Sequence, residues 1–264
     1  MNINNAKLLL CPICKGVGDI KNGSFICRNG HCFDISKTGY INFSPSFRNR
    51  GYDKQLYQSR KIIFSQNFYK TVAQTITDII ENHIPHDIII DAGCGEGYFS
   101  QYISSKLNTN IIAFDIEKDA VLMASKQNKD ISWIVGDINN IPLKEDSANI
   151  LLNILTPANY NEFKRLLKKD GLLIKVIPGK KYLQEIRENM NIQKEKYSGE
   201  KVEELFHRST TDSYIKEICC EFPTTKEQSD HFFKMTPLTQ FTDNFFNPTS
   251  KITINLKILV GKCG

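Results

Sequence analysis

The sequence predicts an α/β protein: a doubly wound, mostly parallel sheet preceded by a small metal-binding unit. Three observations predict it. From residue 85 onward, short β-branched runs ending in an acidic residue alternate with amphipathic stretches, as a parallel sheet covered on both faces requires. The first run, Ile88-Ile89-Ile90-Asp91, leads through Ala92 into glycines at alternate positions, Gly93, Gly95 and Gly97, the pattern of a strand, a tight turn and a helix N-terminus. Near the N-terminus two pairs of soft ligands stand about a dozen residues apart, at Cys11 and Cys14 and again between Cys27 and Cys32.

Length and charge bound what such a chain can do. Its 264 residues, 41% hydrophobic, suffice for one large α/β domain, a real core and a small appendage. The net charge of +5 sits at one end: residues 1–60 carry nine Lys/Arg against three Asp and no Glu, a net of +6, so the remainder is nearly neutral. A local basic excess suits a polyanionic partner. No run approaches the ~18 apolar residues of a membrane span. The N-terminus has no charged-then-apolar signal, and the stretch before Cys11 is too short for a lipoprotein site. The expected location is cytoplasmic, where eight cysteines serve as metal ligands and buried thiols rather than disulfides.

Taken in order, residues 1–44 form the metal unit. Two short loops that each offer two donors from one side make a tetrahedral zinc site, with Cys11 and Cys14 as the first pair. Cys27 belongs to the second pair, and spacing alone leaves either His31 or Cys32 as its companion. Four ligands close the shell, so the ion is structural, and a segment this small needs it to fold. Residues 45–84 hold a basic connector with Pro45, Arg48, Arg50 and Gly51, a helix beginning near Asp53 and a second over about 70–82. Residues 85–264 form the main domain.

Within it a helix over 98–106 follows the glycine turn. Asn110–Asp115 is a second buried strand, Ile131–Ile138 a third ending in Gly136-Asp137, and Ser147–Pro157 a fourth strand with its loop. A helix over 159–168 and a strand over 171–177 follow, then the break Pro178-Gly179. Residues 187–212, mixed in Lys and Glu, read either as a mobile loop or lid beside the substrate or as a disordered insertion. Tyr214–Cys220 and Lys251–Val260 alternate as the strands of a closing antiparallel hairpin. There is no internal repeat and no long low-complexity tract.

A dinucleotide turn has Gly-x-Gly-x-x-Gly spacing; the Gly-x-Gly-x-Gly spacing after Asp91 resembles motif I of the class I (Rossmann-like) S-adenosylmethionine-dependent methyltransferases. That resemblance implies that Asp91, Gly93, Gly95, Glu96 and Gly97 hold the amino-acid end of the cofactor. Asp115, at the end of the second strand, suits the ribose hydroxyls, and Asp137 and Ile138 the adenine. The zinc segment, with Cys11, Cys14, Cys27, His31, Phe33, Asp34, Lys37, Gly39, Tyr40 and Asn42, is similar to the N-terminal domain of the bacterial 23S rRNA guanine-N1 methyltransferases (RlmA/RrmA-like). This likeness favours His31 as fourth ligand and implies that the unit engages an RNA hairpin.

The same family implies a cofactor contact at Tyr69 and, in its Gly-x-x-His-Leu-x-Glu-Leu segment, a second at the histidine position. Gly179, Leu183, Glu185 and Ile186 keep that frame here, and Tyr182 replaces the histidine. Tyr69 read from composition alone is a packed core aromatic. Phe232–Leu238 resembles the family's Met-Thr-Pro-Phe stretch near the target base.

The implied function is methyl transfer from S-adenosylmethionine to N1 of a guanine in a 23S rRNA hairpin, with Zn2+ as second cofactor, and relatives suggest a homodimer. Two other readings are a small-molecule S-adenosylmethionine methyltransferase and a zinc-containing RNA-binding protein with an inactive methyltransferase fold. No catalytic residue is legible: Glu96, Asn153 and Thr156 are candidates for the vicinity of the methyl group, whereas structural roles are the better reading of His207 and His231.

Overall fold

The computed structural model describes residues 3–44, 54–83, 85–190, 199–236, 239 and 247–263. After a 3-10 turn at Ile3–Leu8, strands β1 (Gly18–Lys21), β2 (Ser24–Cys27) and β3 (Cys32–Asp34) make a small antiparallel sheet. The main sheet has eight strands. In spatial order they are β10 (Thr211–Pro223), β11 (Lys251–Lys262), β9 (Leu167–Pro178), β8 (Ala148–Ile154), β5 (Ile88–Ala92), β6 (Asn110–Asp115), β7 (Ser132–Val135) and β4 (Tyr40–Asn42). The six from β9 to β4 run parallel to one another, and β11 and β10 close the other edge antiparallel.

The apolar runs follow from this arrangement. Successive residues of a strand face opposite sides, and both sides are covered. Ile89, Ile111, Ala113, Ile150 and Ile174 enter the core on one face, packed with helices α1 (Lys54–Ser65), α2 (Lys70–Glu81) and α3 (Tyr98–Ser104); Ile90, Ile112, Phe114, Leu151 and Leu173 enter the core on the other, with α5 (Tyr160–Leu166). A strand buried on two faces has no polar alternation to show.

The N-terminal unit shares this second core. Phe25, Phe33 and Phe43 form an aromatic cluster with ring centroids 5.0–6.5 Å apart, continuous with Ile112, Phe114 and Ile134 of the main sheet. The Lys37-Thr38-Gly39-Tyr40-Ile41-Asn42 signature supplies β4, whose Tyr40–Asn42 pairs with Trp133–Val135. Thr38 accepts a hydrogen bond from Ser125 (2.8 Å), the last residue of α4 (Lys118–Ser125). Thus apolar burial against the sheet, and not an ion alone, holds the unit. Because β4 is parallel to β7, the chain leaves it at the carboxyl edge of the sheet. Pro45, Arg48, Arg50, Gly51 and Asp53 lie outside the described residues.

Residues 187–212 differ from the expected loop. Among the described residues, α6 (Gln184–Asn189) ends there and α7 (Glu200–Ser209) occupies most of the rest; residues 191–198 lie outside the description. One anchor docks α7: Phe206 is fully buried beside Tyr160, while Glu203 pairs with Lys257 of β11 at 2.6 Å. Within α7, Glu200, Lys201 and Glu204 form the solvated face. Helix α8 (Lys226–Met235) starts with a capping box in which Thr225 and Gln228 satisfy each other's backbone N–H.

Candidate active site and metal centre

Cys11, Cys14, Cys27 and His31 meet between two loops of the small sheet, with every ligand atom within 4.8 Å of the others. The Cys14 and Cys27 sulfurs are 3.7 Å apart, and His31 Nδ1 stands 3.5 Å and 3.4 Å from the sulfurs of Cys11 and Cys27. Tetrahedral zinc with Zn–S about 2.3 Å and Zn–N about 2.0 Å requires roughly 3.8 Å and 3.5 Å for these separations, so the donor set fits the ion. Cys32 lies outside the cluster, exposed on β3. The backbone N–H of Gly16 draws the Cys14 thiol down to about 6, which makes a thiolate ligand available at neutral pH.

The second site is a cleft of about 420 Å3 at the carboxyl ends of β5, β6 and β8. Chain order reverses there, because β6 and β8 flank β5 on opposite sides, and a ligand crevice belongs at such a point. The volume falls in the range of small-molecule sites. Helix α1 makes one wall with Leu56, Tyr57, Arg60 and Phe64, on one face at helical spacing.

The three glycines of the turn divide their work. All have positive φ, at +85° for Gly93, +54° for Gly95 and +79° for Gly97. A Cβ on Gly93 would stand 2.6 Å from Thr156 Cγ2, and one on Gly97 would stand 2.4 Å from Trp133 Cη2. Those two glycines permit packing. Gly95 alone opens toward the cleft, with nothing nearer to such a Cβ than Arg60 Nη1 at 3.9 Å. Gly97 does not line the cleft; it caps α3 and lets Trp133 close beneath the turn.

The acids carry the electrostatics. Asp91 is 2% exposed; its Oδ2 accepts from Ser100 at 2.5 Å, and its Oδ1 has no hydrogen-bond partner. Burial, with Asp115 nearby, pushes the Asp91 carboxyl up to about 7. Asp115 accepts from the backbone N–H groups of Gly95 (2.8 Å) and Glu117 (2.9 Å) and lines the cleft with Glu117. Glu96 Oε2 is buried without a hydrogen bond, 3.7 Å from Arg60 Nη1. Burial also raises Glu96 and Asp115. Four carboxyl groups against one guanidinium, two of them with orphaned oxygens, make a cleft that favours a cationic ligand. A sulfonium cofactor with an ammonium and a ribose fits that requirement.

Tyr69 and Tyr182 both reach the cleft, and their hydroxyls stand 2.7 Å apart. Tyr69 is at once a fully buried core aromatic, edge-on to Phe64, and part of the wall. Tyr182 is placed by its frame. A Cβ on Gly179 would collide with Asn255, and Glu185 accepts from Thr253 N (2.9 Å) and Oγ1 (2.5 Å), which pins the segment to β11.

The loop after β8 forms the mouth. Leu155 has φ +54° and is 37% exposed, and Thr156 and Pro157 continue the lining. Asn153 lies underneath, with its amide donating to Ala92 O (3.1 Å) and Pro157 O (3.0 Å). Buried Lys175 donates to Asn153 Oδ1 and Thr156 O, and burial lowers its ammonium to about 8. Met235 and Thr236 face this loop across the cleft; Pro237 and Leu238 lie outside the described residues.

Several candidates stand elsewhere. Asp137 and Ile138 sit past the carboxyl end of β7 and do not line the cleft; Asp137 Oδ1 accepts from Asn139 N and Nδ2. His207 is bonded to Ser213, and His231 joins α8 to Ser59 of α1. Conversely, Arg60 in the cleft wall and Lys175 beneath the loop at its mouth had not been singled out. An arginine among apolar helix positions, and a lysine inside the apolar strand run Leu172–Ile177, were the available signals.

Comparison with known proteins follows the same division. A family model described as a methyltransferase domain matches residues 84–232, and the zinc-ribbon model for the N-terminal part of RlmA matches residues 9–50. The Bacillus subtilis protein YxjB, assigned by name as a 23S rRNA (guanine-N1)-methyltransferase, is 34% identical over 250 residues, covering 86% of this chain and 85% of its own. The 23S rRNA (guanine(748)-N(1))-methyltransferase of Streptomyces fradiae is 24% identical over 70% of this chain and 69% of its own. The malonyl-[acyl-carrier protein] O-methyltransferase of Yersinia pestis is 31% identical, over only 33% of this chain and 35% of its own.

Proposed function

The chain belongs to the 23S rRNA (guanine-N1)-methyltransferase family and depends on S-adenosylmethionine, and from that premise we propose that it methylates N1 of a guanine in a hairpin of 23S rRNA. The observation that carries this reading is the fusion of both sites in one body: a zinc ribbon in a basic segment shares its core with the sheet whose carboxyl edge bears the cleft. The likeness to YxjB covers 86% of the chain, whereas the likeness to the acyl-carrier-protein enzyme covers a third of it.

The cofactor supplies a methyl group already activated on a sulfonium, so the protein's task is to align it with the nucleophile and to exclude water. In this reading Asp91 and Glu96 receive the ammonium, and Asp115 receives the ribose hydroxyls, with Gly95 granting close approach. Asp137 and Ile138, which stand past the end of β7 beyond the cleft lining, meet the adenine where it projects from the cleft. Gly93 and Gly97 hold the turn against Thr156 and Trp133, and Tyr69 and Tyr182 close the inner wall. Guanine N1 lies on the Watson–Crick edge, so the base must leave its pair to enter. The mouth between Leu155–Pro157 and Met235-Thr236 admits it, and the ribbon grips the hairpin through phosphates and shape.

Among the described residues no helix is long and apolar enough to cross a membrane, and an rRNA substrate assigns the enzyme to the cytoplasm. A homodimer is the expected assembly; exposed Val202, Leu205, Tyr214 and Ile215, on α7 and the outermost strand, support it, and sedimentation checks it.

Primer extension along 23S rRNA from cells with and without the gene tests the function. N1 methylation blocks pairing and halts reverse transcriptase. A stop at one hairpin guanine that vanishes with the gene is the expected result. Identical stops would overturn the rRNA reading and leave the small-molecule enzyme or the inactive RNA-binding protein.

A further inference from the structure

The cleft lining is rich in acid. Among the described residues that line it, Asp91, Glu96, Asp115 and Glu117 are acidic and only Arg60 is basic. Helix α1 brings Arg60 in from the side: its Nε donates to Met235 O at 3.2 Å, which fixes the guanidinium plane at the end of α8. Its Nη1 faces the glycine turn, 3.7 Å from Glu96 Oε2 and 3.9 Å from where a Cβ on Gly95 would stand. Its side chain is 29% exposed.

The cofactor, for its part, carries two cationic groups and one anionic group, the α-carboxylate. The acids account for the ammonium and the ribose. A carboxylate placed among four acids without a cation would be repelled and desolvated at once, and a guanidinium with its outer N–H groups toward the turn is the group that binds it best.

We infer that Arg60 is the receptor for the α-carboxylate of bound S-adenosylmethionine, and that Glu96 and Arg60 together read the cofactor's zwitterionic end. The inference rests on the cofactor reading of the cleft. Its consequence is selectivity: the enzyme discriminates S-adenosylmethionine from the same sulfonium lacking the carboxylate. Because Arg60 also holds Met235 beside the mouth, filling the carboxylate site stabilises the wall that faces the incoming base.

The test is calorimetric titration of the purified protein with S-adenosylmethionine and with decarboxylated S-adenosylmethionine, without RNA. The wild-type chain is expected to bind the first about 10- to 100-fold more tightly, the worth of a charge-assisted hydrogen bond. Arg60→Gln is expected to bind both alike, at the level of the decarboxylated compound, and Arg60→Lys to recover part of the preference. Unchanged binding of the decarboxylated compound shows that the variant is folded. Should Arg60→Gln fail to fold, the wild-type preference and the Arg60→Lys value still decide. Equal wild-type affinities, or a preference that survives Arg60→Gln, would overturn the inference while leaving the cofactor reading intact. Binding of neither compound would overturn both.

Discussion

The four ligands of the ribbon come from one short stretch, Cys11 to His31, and their donor atoms all lie within 4.8 Å of one another, close enough to share one ion. The groups that line the cleft come from positions as distant as Tyr57, Asp91, Thr156, Tyr182 and Thr236, and two of its acids, Asp91 and Glu96, each keep a buried oxygen without a hydrogen bond. The ribbon is a finished unit whose groups satisfy one another around an ion. The cleft keeps buried carboxyl oxygens unpaired, at a cost in stability that a cationic ligand offsets. One site is closed by its own ligands, and the other is left open for a cofactor.

Removing the ion should strike hardest. Cys27→Ser is expected to lose zinc and roughly 3 kcal/mol or more, lowering the melting midpoint by about 10 °C for a chain of this size. Because no ribbon residue lines the cleft, S-adenosylhomocysteine affinity of the folded fraction should change less than about threefold. Metal analysis, calorimetry and titration check this; lost cofactor binding would make the two regions one.

Inside the cleft the glycines separate packing from access. Gly97→Ala adds a positive-φ penalty to a collision with Trp133 and should cost about 3 kcal/mol in denaturant melts. Asp91→Asn should weaken S-adenosylhomocysteine binding by about 10- to 100-fold. It should leave the unliganded protein as stable or slightly more stable above pH 7, where the native carboxyl is ionised and buried. Gly95→Ala meets open space, so its cost is about 1–2 kcal/mol from φ alone, while cofactor affinity falls sharply.

The smallest effect is in pH. Asp91 is about 7 in the folded protein against an ordinary value of 3.8, so the fold binds this proton more tightly than the unfolded chain does. The stability it contributes is complete at acid pH and is lost as pH rises from about 4 to about 7. The ammonium of a bound ligand reverses the preference: affinity for S-adenosylhomocysteine should rise about tenfold between pH 6 and 8, level off, and be accompanied by proton release, which titration in buffers of different ionisation heat reads.

How far each region was legible follows from the same contrast. Ribbon ligands lie close in sequence, so spacing pointed to them; it left His31 against Cys32 open, the family likeness favoured His31, and the start of β3 turns Cys32 outward. The Lys37–Asn42 signature was visible as a pattern, yet its job of extending the main sheet depends on Trp133–Val135, far along the chain. The turn after Asp91, and Asp115, were legible because strand ends announce themselves. Arg60 was not, since a helix position acquires its meaning only when α8 and the glycine turn come together around it. The Tyr182 frame was legible because Gly179 and Glu185 are held by β11, whatever residue stands between them. Helix α7 was missed because a single buried Phe206 docks it.

The most direct test of the account is transfer of a labelled methyl group from S-adenosylmethionine to 23S rRNA lacking the modification, by the purified zinc-loaded protein, followed by digestion to nucleosides. Label is expected in 1-methylguanosine alone, derived from one hairpin position. Label in any other nucleoside, or none in the presence of demonstrated cofactor binding, would contradict it.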